Sequence, residues 1–420
     1  MLDVNLIRAE PEAVRRMLAN RNLGADLLDR FLELDAEWRE LTNRGNALRK
    51  RRNAVSQEIP KLPPKEKEAR ISEMRAVSEE IKSIEARVSD IEGERDECVL
   101  NIPNMPHPTV PVGKDADDNV VVLEWGERRE FDFKPLEHFE IGENLDIIDF
   151  VRGAKVAGSG FYVLKGDGAR LERSLVNYFL DRNAAAGYRE TFPPAVVNTA
   201  AVTGTGQYPN LKDDMYHITR DDLWLNPTAE VPITNLHREE ILEKADLPMK
   251  YTAYLPSFRR EAGRHSDTRG IIRVHEFNKV ELVHFVEPDG SFDVLEDLRA
   301  HAESLVQGLG LPYRVLLLCT GDLGFSAAKC YDLELYAPGK DAWLEASSCS
   351  CFSDFQARRA RVKYREEAHL KSEFVHTLNG SGLALPRTMV AILENCQNKD
   401  GTITVPKALV PYMGKETIGN

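Results

Sequence analysis

Arg259, Glu261 and Phe277 are residue types that together suit a nucleotide, and they stand on two short neighbouring segments. Ser257-Phe-Arg-Arg-Glu-Ala-Gly263 carries the arginine and the glutamate; Arg269-Gly-Ile-Ile-Arg-Val-His-Glu-Phe-Asn-Lys-Val-Glu281 carries the ring and ends on a second carboxylate. A guanidinium grips phosphate oxygens through its planar fork of N–H donors. A carboxylate accepts from the exocyclic amine of a base, and a phenyl ring stacks on the base itself. A charged hairpin on an ordinary surface would use the same residue types, so the surrounding segments must decide.

Positioning these groups on one face requires paired strands. Ile271, Ile272, Val274, Phe277 and Val280 alternate with charged residues, the pattern of a half-buried strand, and predict such a pair. From about Val120 onward, strand-like segments mix with helical ones, including Gly168 to Asn183 and Leu383 to Asn395. Rossmann and P-loop fingerprints are both missing, which excludes the commonest doubly wound nucleotide folds. The amino-terminal quarter is different. Leu27, Phe31, Leu34, Trp38, Leu41, Gly45, Leu48, Arg52, Val55 and Ile59 recur at spacings of about four and three, break at Pro60, Pro63 and Pro64, and resume as Ile71, Met74, Val77, Ile81, Ile84, Val88 and Ile91. Two helices of roughly 50 Å each, folded back as an antiparallel coiled coil, are predicted. Heptads alone equally suit an oligomerisation coil; the cluster Arg44, Arg49, Lys50, Arg51, Arg52 and Lys61 suits phosphate contact. The prolines of Asn101-Ile-Pro-Asn-Met-Pro-His-Pro-Thr-Val-Pro111 then read as an extended linker.

With 420 residues the chain is long enough for two or three domains, and its net charge of −13 argues against a protein that coats nucleic acid nonspecifically. A local basic patch still permits RNA binding. No apolar stretch approaches membrane-spanning length and the amino end is not a secretory signal, so a cytoplasmic protein without membrane attachment is expected. Cys98, Cys319, Cys330, Cys349, Cys351 and Cys396 are scattered, as in a reducing compartment, and the Cys349–Cys351 pair lacks a companion at zinc spacing.

Four ordered segments carry a family resemblance. The paired segments around Arg259 and Phe277 resemble motif 2 of class II aminoacyl-tRNA synthetases, Asn379-Gly-Ser-Gly-Leu-Ala-Leu-Pro-Arg387 resembles motif 3, and Tyr188-Arg-Glu-Thr-Phe-Pro-Pro-Ala-Val-Val-Asn198 resembles motif 1. Thr228-Ala-Glu230, with Gly204-Thr-Gly-Gln207 ahead of it, is similar to the bacterial-type seryl-tRNA synthetases, and the similarity runs from Met1-Leu-Asp to Gly414-Lys-Glu-Thr-Ile418. It implies an α+β fold: a class II catalytic domain built on an antiparallel sheet, behind an N-terminal antiparallel helical coiled-coil arm. The implied domains are 1–104 with the tRNA-binding hairpin, a linker 105–119 and the catalytic domain 120–420.

The activity the resemblance implies is ligation of serine to tRNA. ATP and L-serine give seryl-adenylate, and serine passes to the 3′ end of tRNA(Ser), with tRNA(Sec) as a further candidate acceptor. Arg259 and Arg387 match the family's catalytic phosphate-binding arginines. Arg260, Glu261, His275, Phe277 and the run Glu345, Ala346, Ser347, Ser348 match ATP contacts, with Mg2+ at Glu345 and Ser348. Thr228, Ala229, Glu230, Glu281, Asn379 and Ser381 match the serine pocket; which carboxylate takes the ammonium stays open. Arg44, Arg49, Lys50, Arg51 and Arg52 match the tRNA-binding arm, Gly380 and Gly382 a tight strand-to-helix turn before Arg387, and motif 1 a homodimer interface; DNA is not an implied partner. Three departures accompany the match: a short motif 2 loop, Arg264 to Arg269; Asn226 where an apolar residue usually stands; and Cys351 in place of Asn. They leave room for a second copy resistant to an inhibitor resembling seryl-adenylate, or for a related ligase with another acceptor. A catalytically dead scaffold would have lost Arg259 and Arg387, and a pure coiled-coil protein leaves everything after the arm unexplained.

Overall fold

The computed structural model describes residues 1–261, 269–367 and 369–419. The chain folds as two compact units, Leu2–Pro103 and Asn104–Asn420. In the first, helix α1 (Asp26–Glu58) and helix α2 (Pro64–Leu100) run antiparallel, joined through a short 3-10 turn, Ile59–Lys61. Pro60 lies in that turn, while Pro63 and Pro64 occupy the start of α2, where a missing N–H leaves no intrahelical bond unmade. Phe31, Leu34, Met74, Val77, Ile81, Ile84 and Ile91 are buried in the seam, and Leu48, Val55 and Ile59 pack on the cluster around Met74. Two heptad positions fall outside it: Leu27 is 43 % and Ile71 49 % exposed. Leu28 is buried in place of Leu27, and near the bend the last apolar residues of α1 cover Met74 rather than Ile71. Gly45 is buried in the seam, where a β-carbon would lie 3.4 Å from Ile84 Cγ2. The close approach there is to a side chain, not to the opposing backbone.

The second unit is built on an eight-stranded sheet. Its strands in chain order are β1 (Val120–Trp125), β2 (Arg189–Glu190), β3 (Met249–Phe258), β4 (Glu276–Val286), β5 (Tyr313–Leu317), β6 (Lys329–Ala337), β7 (Ala342–Cys351) and β8 (His376–Ala384). They are arranged β1-β5-β6-β7-β8-β4-β3-β2, antiparallel except for the edge pair β2–β3. Helices α3 (Gly166–Ala185), α5 (Ser291–Leu309) and α7 (Leu385–Asn395) cover one face, with Leu171, Phe179, Leu298 and Ile392 packing on Val280, Leu282 and Leu378. On the other face the short helices α4 (Glu230–Thr234) and α6 (Phe355–Ala360) bring Ile233, Ala357 and Ala360 against Ala253, Val283 and Phe285. Side chains alternate along a strand. Lys279 and Glu281 therefore share the parity of Val283 and point away from the larger core, while Phe277, at the start of β4, is half-buried against that core.

Two expectations need correction here. Strand pairing in the motif 2 region starts only at Glu276, opposite Phe258. Ile271, Ile272 and Val274 are buried in the core as an irregular segment, and the Ile271 N–H donates to His138 Nε2 at 3.2 Å instead of to a strand. Gly380 and Gly382 are interior to β8, and no turn forms at them; a β-carbon would meet Leu298 Cδ1 at 3.0 Å or Val280 Cγ1 at 3.1 Å, so they admit close packing across the sheet. The proline-rich segment is anchored: the Asn104 amide nitrogen donates to Ser326 O (2.9 Å) and Phe352 O (2.8 Å), the His107 N–H donates to Ala328 O (2.8 Å), and Val110 is buried with Leu316 and Leu323. Among the described residues no helix is long and apolar enough to cross a membrane. No cluster of three or more His, Cys, Asp or Glu there is disposed to hold a metal ion.

Candidate active site

Strands β3, β4, β7 and β8 and the start of α7 enclose a cavity of about 390 Å³ lined by Thr228, Glu230, Arg259, Glu261, Phe277, Glu345, Ala346, Ser348, Asn379, Ser381 and Arg387, among others. Residues far apart in sequence are thus brought onto one surface by strand pairing, with Glu281 opposite Ser381 across β4 and β8.

One part of the cavity is cationic and aromatic. Arg259, just beyond β3, has its guanidinium carbon 5.2 Å from the centre of the Phe277 ring, and its Nε donates to Pro227 O at 3.3 Å. Arg273 donates to Glu261 Oε2 at 2.9 Å. Arg387, in the first turn of α7, donates through Nη1 to Glu345 O at 2.7 Å, and the same nitrogen lies 3.2 Å from Glu345 Oε2. Two guanidinium groups held by backbone carbonyls face a common space with one carboxylate and the Ser348 hydroxyl. This arrangement can neutralise a polyphosphate and hold a hard cation through oxygen ligands. Beside them Asp332 is pushed well above the usual carboxylate range, chiefly by burial and then by the Glu345 charge, while Ser348 and Cys330 donate to it and oppose the shift.

The other part is buried and polar. Gln356 Nε2 donates to Glu230 Oε1 at 2.6 Å and Asn379 Nδ2 to Oε2 at 3.0 Å. Burial, reinforced by the Glu281 charge, pushes Glu230 up to about 7. Thr228 Oγ1 donates to Glu281 Oε2 at 2.6 Å, and Lys279 forms an ion pair with the same oxygen. Asn379 Oδ1 and Glu281 Oε1 are buried and accept no hydrogen bond within the protein among the described residues. Buried acceptors of this kind are costly unless a donor reaches them.

Other residues taken from the resemblance stand elsewhere. Glu281 is fully buried behind Thr228 and Lys279 and does not line the cavity. Ala229 belongs to the second core, Ser347 donates to Ser381 O at 2.6 Å, and Arg260 is exposed. His275 is turned away from the cavity: its ring stacks on Phe161 at 5.2 Å and its Nδ1 lies 2.9 Å from the Tyr216 hydroxyl. Of the three departures, the short motif 2 loop falls at 264–269, of which only Arg269 is within the described residues. Cys351 is buried with its sulfur 3.9 Å from Ser291 Oγ, outside the cavity lining. Asn226 is fully buried and satisfied at both ends: Oδ1 accepts from the Thr228 N–H and Nδ2 donates to Pro256 O, each at 3.3 Å.

Sequence reasoning assigned no site role to Gln207, Lys279, Arg273 or Gln356, of which the first three line the cavity. Lys279 was detectable, since it stands two residues from Glu281 on one strand face; Gln356 comes from a helix remote in sequence and gave no local signal. On the arm, Arg44, Arg49 and Arg51 form ion pairs with Glu80, Glu85 and Glu73 of α2. Lys50 and Arg52 form none among the described residues.

Residues 215–396 match the tRNA synthetase class II core domain (G, H, P, S and T), and residues 1–106 match the seryl-tRNA synthetase N-terminal domain. A serine–tRNA ligase of Methanosarcina barkeri is 52 % identical over 417 residues, covering 99 % of this chain and 97 % of that one. One of Thermodesulfovibrio yellowstonii is 50 % identical over 424 residues, covering the whole of both. The seryl-tRNA synthetase of Pyrococcus horikoshii, solved in complex with ATP, superposes with a TM-score of 0.95 at 38 % identity, covering 100 % of this chain and 99 % of that one. With both family models matched and relatives of about 50 % identity covering the chain from end to end, the chain belongs to the seryl-tRNA synthetase family.

Proposed function

We propose that the protein is a serine–tRNA ligase: it joins the serine carboxylate to the α-phosphate of ATP, releases pyrophosphate, and passes the seryl group to a hydroxyl of the 3′-terminal ribose of tRNA(Ser), with AMP leaving as the acyl–phosphate bond breaks. The observation that carries this reading is one cavity holding Arg259 and Arg387 at its phosphate-binding part and Thr228, Glu230, Asn379 and Ser381 at its buried polar part.

In the first step a serine carboxylate oxygen attacks the α-phosphorus, a P–O bond forms, and the bond to the β-phosphate oxygen breaks as the electron pair leaves with pyrophosphate. The nucleophile is already ionised, so positioning and charge neutralisation do the work and no general base is required. Arg259 neutralises the α-phosphate and the incoming carboxylate, Phe277 stacks on the adenine, Glu261 accepts from its amine, and Arg387 holds the far phosphates. Glu345 and Ser348 would hold Mg2+, which supplies further charge neutralisation on the phosphate oxygens. At the polar part, serine brings an ammonium and a hydroxyl to acceptors that the fold leaves unpaired, Asn379 Oδ1 among them. Alanine and glycine lack the hydroxyl, and rejecting them follows from the cost of leaving those groups unpartnered.

The α1–α2 arm supplies the tRNA contact, with Lys50 and Arg52 among its cations that form no ion pair within the described residues. A second copy of the chain docks on the motif 1 region, where Phe192 is 82 % exposed beside Pro193 and Pro194 and Val196 is exposed as well. A ligase with another acceptor, or a specialised second copy, is not favoured, because relatives named serine–tRNA ligase match over the whole length at about 50 % identity. Deleting the arm tests the division of labour: serine-dependent pyrophosphate exchange should persist while tRNA charging is lost.

A further inference from the structure

We propose that Gln356 is a positioning residue for serine recognition, holding Glu230 aimed and ionised for the ammonium group. Gln356 lies on α6, on the side of the sheet opposite the helices of the main core, and is fully buried. Its amide cannot turn over. Thr377 Oγ1 donates to Gln356 Oε1 at 2.8 Å, which leaves Nε2 to donate to Glu230 Oε1 at 2.6 Å and to Thr205 O at 3.3 Å. An ionised carboxylate can only accept, so the amide nitrogen is the end that must face it. The Thr205 contact ties the same side chain to the Gly204–Gln207 turn, whose Gln207 lines the cavity. Gln356 itself does not line the cavity; it acts through Glu230.

The groups facing Glu230 define what Gln356 must offset. Glu281 on β4 disfavours the ionised form, while Lys279 on β4 and Arg259 beyond β3 favour it, and Asn379 on β8 donates to Oε2. Burial outweighs these, and Glu230 stands at about 7 even with both amide donors in place. Loss of the short Gln356 bond removes a donor to the charged form, so a larger share of Glu230 is protonated at neutral pH and the ammonium loses its partner.

The inference rests on the serine reading of this cavity, and the experiment separates the two. The KM for serine in ATP–pyrophosphate exchange is measured across pH 6 to 9 for the full-length protein and for Gln356→Met, Gln356→Glu and Thr377→Val. In the unchanged protein KM should fall as pH rises through about 7, because Glu230 ionises there. Gln356→Met should raise KM about fivefold at pH 7, move the fall upward by about one pH unit, and recover toward the unchanged protein at pH 9, with kcat within about twofold. Gln356→Glu should reverse the slope, since two facing carboxylates share a proton at low pH and repel at high pH. Thr377→Val should act in the same direction as Gln356→Met with a smaller effect, and it decides the matter if Gln356→Met does not fold. A KM unchanged in Gln356→Met, or raised equally at every pH, would overturn the role; absence of serine-dependent exchange in the unchanged protein would instead overturn the serine reading.

Discussion

Arg259, proposed to neutralise both the α-phosphate and the serine carboxylate, lines the cavity, lies near Phe277 and is held by the Pro227 carbonyl. Arg259→Ala should lower kcat/KM for pyrophosphate exchange by on the order of 10²-fold, about 3 kcal/mol, as for removal of one preorganised charge. A drop in affinity for ATP alone, with kcat unchanged, would confine Arg259 to ground-state binding. Asn226 makes a second case. It touches no ligand surface, yet it holds the Thr228 N–H and ties it to β3 through Pro256. Asn226→Ile removes both bonds and should raise the KM for serine by about tenfold, near 1.4 kcal/mol, and weaken a nonhydrolysable seryl-adenylate mimic alike. Equal constants in the two proteins would mark Asn226 as neutral. That Arg259, Phe277, Glu230 and Arg387 belong to one site was legible because each stands in a short run of distinctive spacing, and all four line the cavity. The place of His275 was not, since its ring is taken up by Phe161 and Tyr216, two residues distant in sequence.

At the scale of elements, the α1–α2 hairpin was legible from its heptads, and the errors came at its ends, where Leu27 and Ile71 are left exposed. The arm's basic cluster is partly internal. Arg49 and Arg51 face Glu85 and Glu73, so reversing their charge would place like charges together across the hairpin and confound RNA binding with helix packing. Lys50→Gln combined with Arg52→Gln is the cleaner change. It should weaken tRNA binding and flatten the salt dependence of log Kd by about one for each phosphate no longer neutralised, with pyrophosphate exchange unaltered. An unchanged salt slope would move the RNA-binding surface elsewhere on the arm. Within the sheet, alternation overstated the second motif 2 strand, because Ile271, Ile272 and Val274 alternate for packing while their backbone bonds go to other partners.

For the whole molecule, the class of fold followed from ordered motifs, whereas the sheet order and the convergence of Gln356, Glu230 and Asn379 depend on pairings between distant segments that no local pattern encodes. The exposed apolar side chains around the motif 1 region predict assembly through the catalytic unit. The protein lacking Leu27 to Val99 should sediment as a dimer at micromolar concentration, and Phe192→Asp should shift it toward monomer. A monomeric arm-deleted protein would transfer the dimer interface to the coiled coil. The central claim is amino-acid activation specific for serine, and the most direct measurement is exchange of labelled pyrophosphate into ATP by the purified full-length protein with Mg2+ and each of serine, alanine and glycine. Exchange that requires serine, with alanine and glycine at background, is the predicted result; equal exchange with alanine or glycine, or none with serine, would contradict it.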